Sequence, residues 1–423
     1  MVTFCAALGS LVFGTRLYEA LPGGDTVRLV SAGLVVGAVV YGILAAVLLK
    51  EWIAALVSTL CVLSVWGWSY AYARITSEPL VLTGAMYAVP ALAALFTVVI
   101  RQNKLTAVMR GILIFSVIYC FIYFILVYEQ TQGKFASAPT GGLFISADSS
   151  GRDSRIMLST SWILPLMMSA TAALTWRKMT TCLPIIGLCM AVLWLSHSRM
   201  ATASILLVWT AFATMRSTKW LGLSVWWVFC LGSILSVSVG LFSSHNPLDG
   251  WANNPSVTAR WHEVTVIQAQ TIKHWVVGVG YAMTENGYWV LSMDKGFFPS
   301  DVGMLGILFV NGVAGVIVYL TVTYIACTSR HLLHRAGLSR SLRQGLTVGF
   351  IAMTLYSLQA PVFDASGKMF TALILGLISQ KSEWTRFCTK IVGRLRTRSG
   401  HEKKAHAPEG PWSAIRSVTA NRH

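Results

Sequence analysis

The sequence predicts an all-α protein, a polytopic transmembrane helical bundle of about twelve spans, and three observations predict it. Of 423 residues, 55% are hydrophobic and 12% charged, with a mean hydropathy of +0.63. That leaves too little polar material to cover a water-soluble surface. The apolar residues also gather in stretches close to the roughly twenty residues that a helix, rising about 1.5 Å per residue, needs to cross about 30 Å of hydrocarbon. Finally, the basic residues collect in alternate connections between those stretches.

The candidate spans are residues 1–15, 29–49, 52–72, 80–100, 109–128, 158–176, 179–196, 200–215, 220–242, 301–327, 344–362 and 366–380. Several are short, and the last two read equally as one broken span or a re-entrant hairpin. The first lacks the basic leader and small-residue cleavage site of a signal peptide. With the N-terminus inside, the inner connections hold Lys50, the turns at 101–110, Arg177 and Lys178, the turns at 216–219 and 330–343, and the tail from Lys381. These segments carry 22 of the 33 Lys and Arg residues and 4 of the 16 Asp and Glu residues, leaving 11 and 12 outside. The net charge of +17 therefore falls on one face, as cytoplasmic loops require. It is a topology signal, and a nucleic-acid partner is not expected.

Both termini are accordingly expected in the cytoplasm. Residues 1–380 read as one transmembrane domain. Residues 381–423 read as a disordered basic tail whose Arg394, Arg396, Arg398, Lys403 and Lys404 attract lipid headgroups. The eight cysteines, Cys5, Cys61, Cys120, Cys182, Cys189, Cys230, Cys327 and Cys388, lie in or near apolar segments with no CxxC pair. Neither a disulfide framework nor a zinc site is predicted; no metal and no cofactor is expected.

Two outer loops stand out by length. Residues 129–157 contain Gly141, Gly142, Gly151 and a polar run over 148–155. Residues 243–300 form a loop too long for a simple connector. Within it, Val257, Trp261, Val264, Gln268, Ile272 and Trp275 recur at helical spacing, and Pro255 precedes the first turn, where proline is tolerated. The expectation is a helix lying on the membrane surface, with Arg260 and Glu263 off its apolar face.

Four outer features carry residues of chemical interest. Ser196, His197, Ser198 and Arg199 fall between two apolar stretches; Arg199 either forks onto phosphate oxygens or snorkels into headgroups. Arg260 sits in the first helical turn, where the helix dipole favours acids; it binds an anion, pairs with Glu263 or touches headgroups. His262 and Glu263 read first as surface polar residues. Gly278 and Gly280, one residue apart, permit a sharp turn or close backbone approach. Asp301, after Ser300, is either a dipole-favoured helix-start acid or a general base for a sugar hydroxyl. Arg152 and Arg155 either add positive charge to an anionic site or belong to a solvated loop; His245, His274, Asp148, Asp153, Asp364 and Lys368 show no discriminating pattern.

In their order, these features resemble the bacterial O-antigen ligase/polymerase superfamily of envelope membrane proteins. The likeness rests on the Ser-x-Ser-Arg motif at 196–199, the long loop, Arg260 with Trp261, and about twenty residues of helix. It continues through Gly278, Val279 and Gly280 to Asp301, Gly303, Gly312 and Gly315, covering about residues 155–320. Ligases of this family carry a histidine just before the returning helix; here Asp301 stands there, and His274 lies too early, which points to the Wzy-type repeat-unit polymerases. The resemblance implies an enzyme in the bacterial cytoplasmic (inner) membrane with its active site facing the periplasm. It would catalyse inverting, metal-independent glycosyl transfer between undecaprenyl-pyrophosphate-linked oligosaccharides, donor and acceptor. Arg199 and Arg260 would stabilise the leaving pyrophosphate and Asp301 would be the base, with Glu263 in reserve. His197, Gly278, Gly280, Arg152 and Arg155 would help hold substrate. Implied partners are membrane lipids and, as a further candidate, a chain-length regulator. A ligase acting on lipid A-core is the alternative within the family. From other classes, a secondary transporter would show repeated halves and charged midplane helices, and a flippase a polar central cavity.

Overall fold

The computed structural model describes residues 1–14, 17–20, 23–76, 88–132, 145–146, 155–156, 159–196, 199–214, 218–243, 255–276, 278–280, 302–360, 362–363 and 367–380. The expected helical class is what these residues form, apart from one antiparallel pairing of two residues a side. That pairing joins β1 (Ile145–Ser146) to β2 (Arg155–Ile156), with Ile145 opposite Ile156 and Ser146 opposite Arg155. Met1–Ser379 is one compact unit, and the tail from Lys381 lies outside the described residues.

The helices are α1 (Val2–Gly14), α2 (Gly24–Leu48), α3 (Trp52–Thr76), α4 (Ala93–Arg101), α5 (Leu105–Thr131), α6 (Thr160–Ala173) and α7 (Met179–Leu195). They continue as α8 (Arg199–Thr214), α9 (Thr218–Phe242), α10 (Pro255–His274), α11 (Met304–Thr328), α12 (Arg330–Arg335), α13 (Arg340–Tyr356) and α14 (Lys368–Ile378). Among the described residues, five helices are long and apolar enough to cross a membrane: α2, α5, α7 with the 3-10 turn at its start, α9 and α11. Three of the other apolar stretches form shorter helices. Residues 158–176, 344–362 and 366–380 yield helices of only 14, 17 and 11 residues, and a helix of 11 residues is about 16 Å long.

These short helices form the core. α6, α13 and α14 are buried along nearly their whole length, with Trp162, Phe350 and Phe370 packed edge to face at 5.7–6.0 Å. The long helices surround them and turn large apolar side chains outwards: Leu44, Leu60, Phe121, Leu231, Ile234 and Ile317 are all exposed. Exposure of that kind is ruinous in water and ordinary in lipid.

Exposed aromatic rings include some at two levels, with Trp227 and Phe121 between them. Trp52, Trp176 and Trp220 stand beside basic turns, while Tyr128, Trp194 and Phe242 stand at the far ends of their helices. Trp220 and Phe242 are separated by about 33 Å of helix and Trp176 and Trp194 by about 27 Å, which brackets the hydrocarbon thickness of about 30 Å. The basic turns are joined to one another at one end of the bundle. Arg101 Nε lies 4.0 Å from Glu51 Oε1, Thr106 Oγ1 donates to Gly337 O at 3.2 Å, and Arg330 Nη1 donates to Thr218 Oγ1 at 2.8 Å.

α6 is seated by its first residues. Its preceding residue, Ser159, donates its N–H to the Tyr119 hydroxyl of α5 at 3.0 Å, in a fully buried position. Tyr119→Phe leaves that amide without its acceptor. It is expected to cost about 1–3 kcal/mol, read as a lower unfolding temperature in detergent, whereas the exposed Tyr128→Phe should change little.

Candidate functional site

The long loop meets the bundle where α11 is broken. Gly312 has φ 63° and ψ −168°, values no L-residue inside a helix adopts. A helix interrupted there loses hydrogen bonds around the break, a cost of several kcal/mol per orphaned group in lipid. The loop supplies replacements. Val279 N–H donates to Phe309 O at 2.9 Å, Gly280 N–H to Val310 O at 2.8 Å, and Val313 N–H donates to Trp275 O at 2.9 Å. Trp275, Val276 and residues 278–280 thus form a strap paired through the main chain to both halves of α11.

The two glycines singled out in the sequence explain how the strap fits. Gly278 and Gly280 have φ of 72° and 77°, and a Cβ at Gly278 would collide with Val310 O. Close backbone approach is thus the use made of Gly278. Gly303, at the start of α11, also has positive φ (57°), and a Cβ there would lie 2.6 Å from Leu358 O.

α10 differs from its expected placement. Among its described side chains it buries Glu263, Ile267 and Thr271, flanked by half-buried Val264 and Gln268, whereas Trp261 is only half-buried and Trp275 is exposed. The buried stripe is therefore rotated towards Glu263, which was expected off the apolar face and is only 4% exposed. The reason is tertiary: Ile267 packs with Val279, Leu305, Phe309 and Val310 of the strap and α11, and Gln268 Nε2 donates to Leu241 O of α9 at 2.8 Å. Docking against two helices, rather than lipid alone, chooses the inward face.

Arg260, one turn before α10's packed half, is exposed. Arg199 opens α8. The three-residue link from α8 to α9 reaches Thr218, at the basic end, so α8 begins at the opposite end, roughly 22 Å away along its axis. Leu241, which anchors α10, is also remote from that end. The backbone therefore brings the start of α8 and the α10 region to one end of the bundle. Arg155 belongs to β2, and His197, Asp301 and Arg152 lie outside the described residues.

Lys368, without a discriminating pattern in the sequence, is buried like Glu51 and Glu263 among the described residues. It opens α14 with only 4% exposure, on the short buried helix whose Thr371 Oγ1 donates to Phe363 O at 2.6 Å. A lysine at the start of a hydrophobic stretch resembles an ordinary interface residue, so pattern alone does not distinguish it. Among the described residues, no group of three His, Cys, Asp or Glu side chains is placed to hold a metal ion. What the arrangement offers chemically is an exposed arginine, Arg260, on a helix docked through Gln268, with Glu263 three residues further on held out of water. Compared with known proteins, the chain matches no family model, no curated protein and no solved structure.

Proposed function

We propose that the protein is a polysaccharide polymerase joining undecaprenyl-pyrophosphate-linked repeat units at the outer face of the bacterial cytoplasmic membrane, in exopolysaccharide or O-antigen biosynthesis. The observation that carries this reading is the docking of α10. The helix that presents Arg260 is held by Gln268 and by the strap at the end of the bundle where α8 begins with Arg199. In the proposed reaction an acceptor sugar hydroxyl attacks the anomeric carbon of the donor, its proton passing to Asp301, or to Glu263 in reserve. The bond from that carbon to the phosphate oxygen breaks and the configuration inverts. Charge growing on the departing pyrophosphate needs fixed positive groups, the role given to Arg199 and Arg260. His197, Gly278, Gly280, Arg152 and Arg155 remain assigned to substrate holding.

A broken membrane helix also favours a transporter, since freed carbonyls at such breaks coordinate ions. Here Phe309 O and Val310 O already accept strap amides, which weakens that reading. Ligation to lipid A-core remains the alternative chemistry. Analysis of glycans from a strain lacking the gene separates them. Single repeat units mean a polymerase, unligated long chains a ligase, and normal glycan with failed solute uptake a transporter. Arg199→Ala and Arg260→Ala are each expected to accumulate to normal levels yet return no polymer; full-length polymer from either sinks the assignment.

A further inference from the structure

We infer that the C-terminal end of α10 and the strap enter the membrane leaflet remote from the basic turns, where Trp275 and Val276 contact lipid acyl chains. Thr218 and Arg330 are hydrogen-bonded, so α9 and α11 can be measured from one level. Their antiparallel packing is kept by Trp226 Nε1 donating to Leu320 O at 3.3 Å and by Gly240 lying against Leu305. Leu241, the acceptor for Gln268, stands about 34 Å from that level, and Val313, the donor to Trp275 O, about 25 Å.

Between Gln268 and Trp275, therefore, α10 descends about 9 Å, nearly the length of the roughly 10 Å of helix between them. That half of α10 points into the bundle instead of lying flat. It leaves Trp275 roughly 10 Å deeper than Phe242 of the exposed aromatic belt, a spacing from the same helical rise.

At that depth the side chains face outwards. Trp275 is 57% exposed and Val276 53%. Ile317 and Val318, one turn along α11 from Val313, are similarly exposed, so the two patches are continuous with a helix surface already suited to lipid. The backbone is suited too: irregular chain survives in hydrocarbon only when its polar groups are paired. The carbonyl of Trp275 and the amides of Val279 and Gly280 all are.

The test is a nitroxide label at Trp275→Cys in the full chain, with Cys5, Cys61 and Cys388 changed to alanine. The chain is reconstituted in phosphatidylcholine–phosphatidylglycerol vesicles. Arg260→Cys, labelled likewise, is the comparator on the same helix. At position 275, collisions with oxygen are expected to exceed those with a water-soluble nickel chelate severalfold, with the reverse at 260. A nickel-dominated signal at 275 means a water-lined surface and overturns the inference; weak collision with both means burial by protein and also overturns it. Val276→Cys gives the same readout if the first variant does not fold.

Discussion

Gly278→Ala is expected to release the strap from α11 and destabilise the protein by at least about 3 kcal/mol. Three terms point the same way. An L-residue held in the left-handed region costs roughly 1–2 kcal/mol. The added methyl would collide with Val310 O and crowd Gly312 N at 2.5 Å, and that contact is backbone on both sides, so no side chain can swing away. Relieving it breaks three main-chain hydrogen bonds, each worth about 1 kcal/mol net and more when a buried group is left unpaired. The specific signature is hydrogen exchange: the amides of Val279, Gly280 and Val313 should be protected together in the parent and lose protection together in the variant. Gly37→Ala, inside α2 with open space around it, should be neutral or gain up to about 1 kcal/mol. Equal unfolding temperatures for the two variants would contradict this account of the strap.

Gly345→Leu is expected to be comparably severe at the centre of the bundle. Gly345 and Gly349 are four residues apart on α13, forming the small-x-x-x-small surface that lets membrane helices touch backbone to backbone. A Cβ at Gly345 would meet the Ser169 backbone of α6, with Ser169 Oγ at 2.8 Å, and one at Gly349 would lie 2.9 Å from Pro165 Cα. A leucine must push α6 from α13 and disturb the contacts of Trp162 and Phe350 with Phe370. Overpacking of this kind costs on the order of 3 kcal/mol. Gly187→Leu, on the exposed face of α7 with nothing within 4 Å, should change stability by less than about 0.5 kcal/mol. Purification yield and unfolding temperature in detergent compare the two directly.

The seam at Gly345 and Gly349 was present in the sequence as a recognisable spacing, but it sat inside a stretch read as part of one broken span or a re-entrant hairpin. Hydropathy could not tell α13 from the long helices because lipid and protein core are equally apolar. A helix buried on every side and a helix facing lipid have the same composition. Length separates them, and the ends of α6, α13 and α14 depend on contacts such as Ser159 to Tyr119 and Thr371 to Phe363. These link residues 40 and 8 positions apart, and the first of them lies beyond any local window.

The candidate site divides in the same way. Arg260, Arg199 and the Gly278–Gly280 pair drew notice through residue chemistry and spacing. The inward turn of Glu263 did not, because apolar residues flank α10 on two sides and only its partners, α9 and α11, select between them.

Composition, the apolar stretches and the clustering of Lys and Arg were enough to establish a helical, membrane-suited chain with its basic turns grouped, because burial in lipid acts on each residue through its own side chain. The long loop between those stretches was legible too, but not how its end docks on the bundle. That depended on a helix broken at Gly312 whose vacated carbonyls are taken by amides thirty residues earlier in the chain. Backbone groups are the same in every residue, so which of them pair across the fold leaves almost no mark on the sequence beyond the glycines that make room.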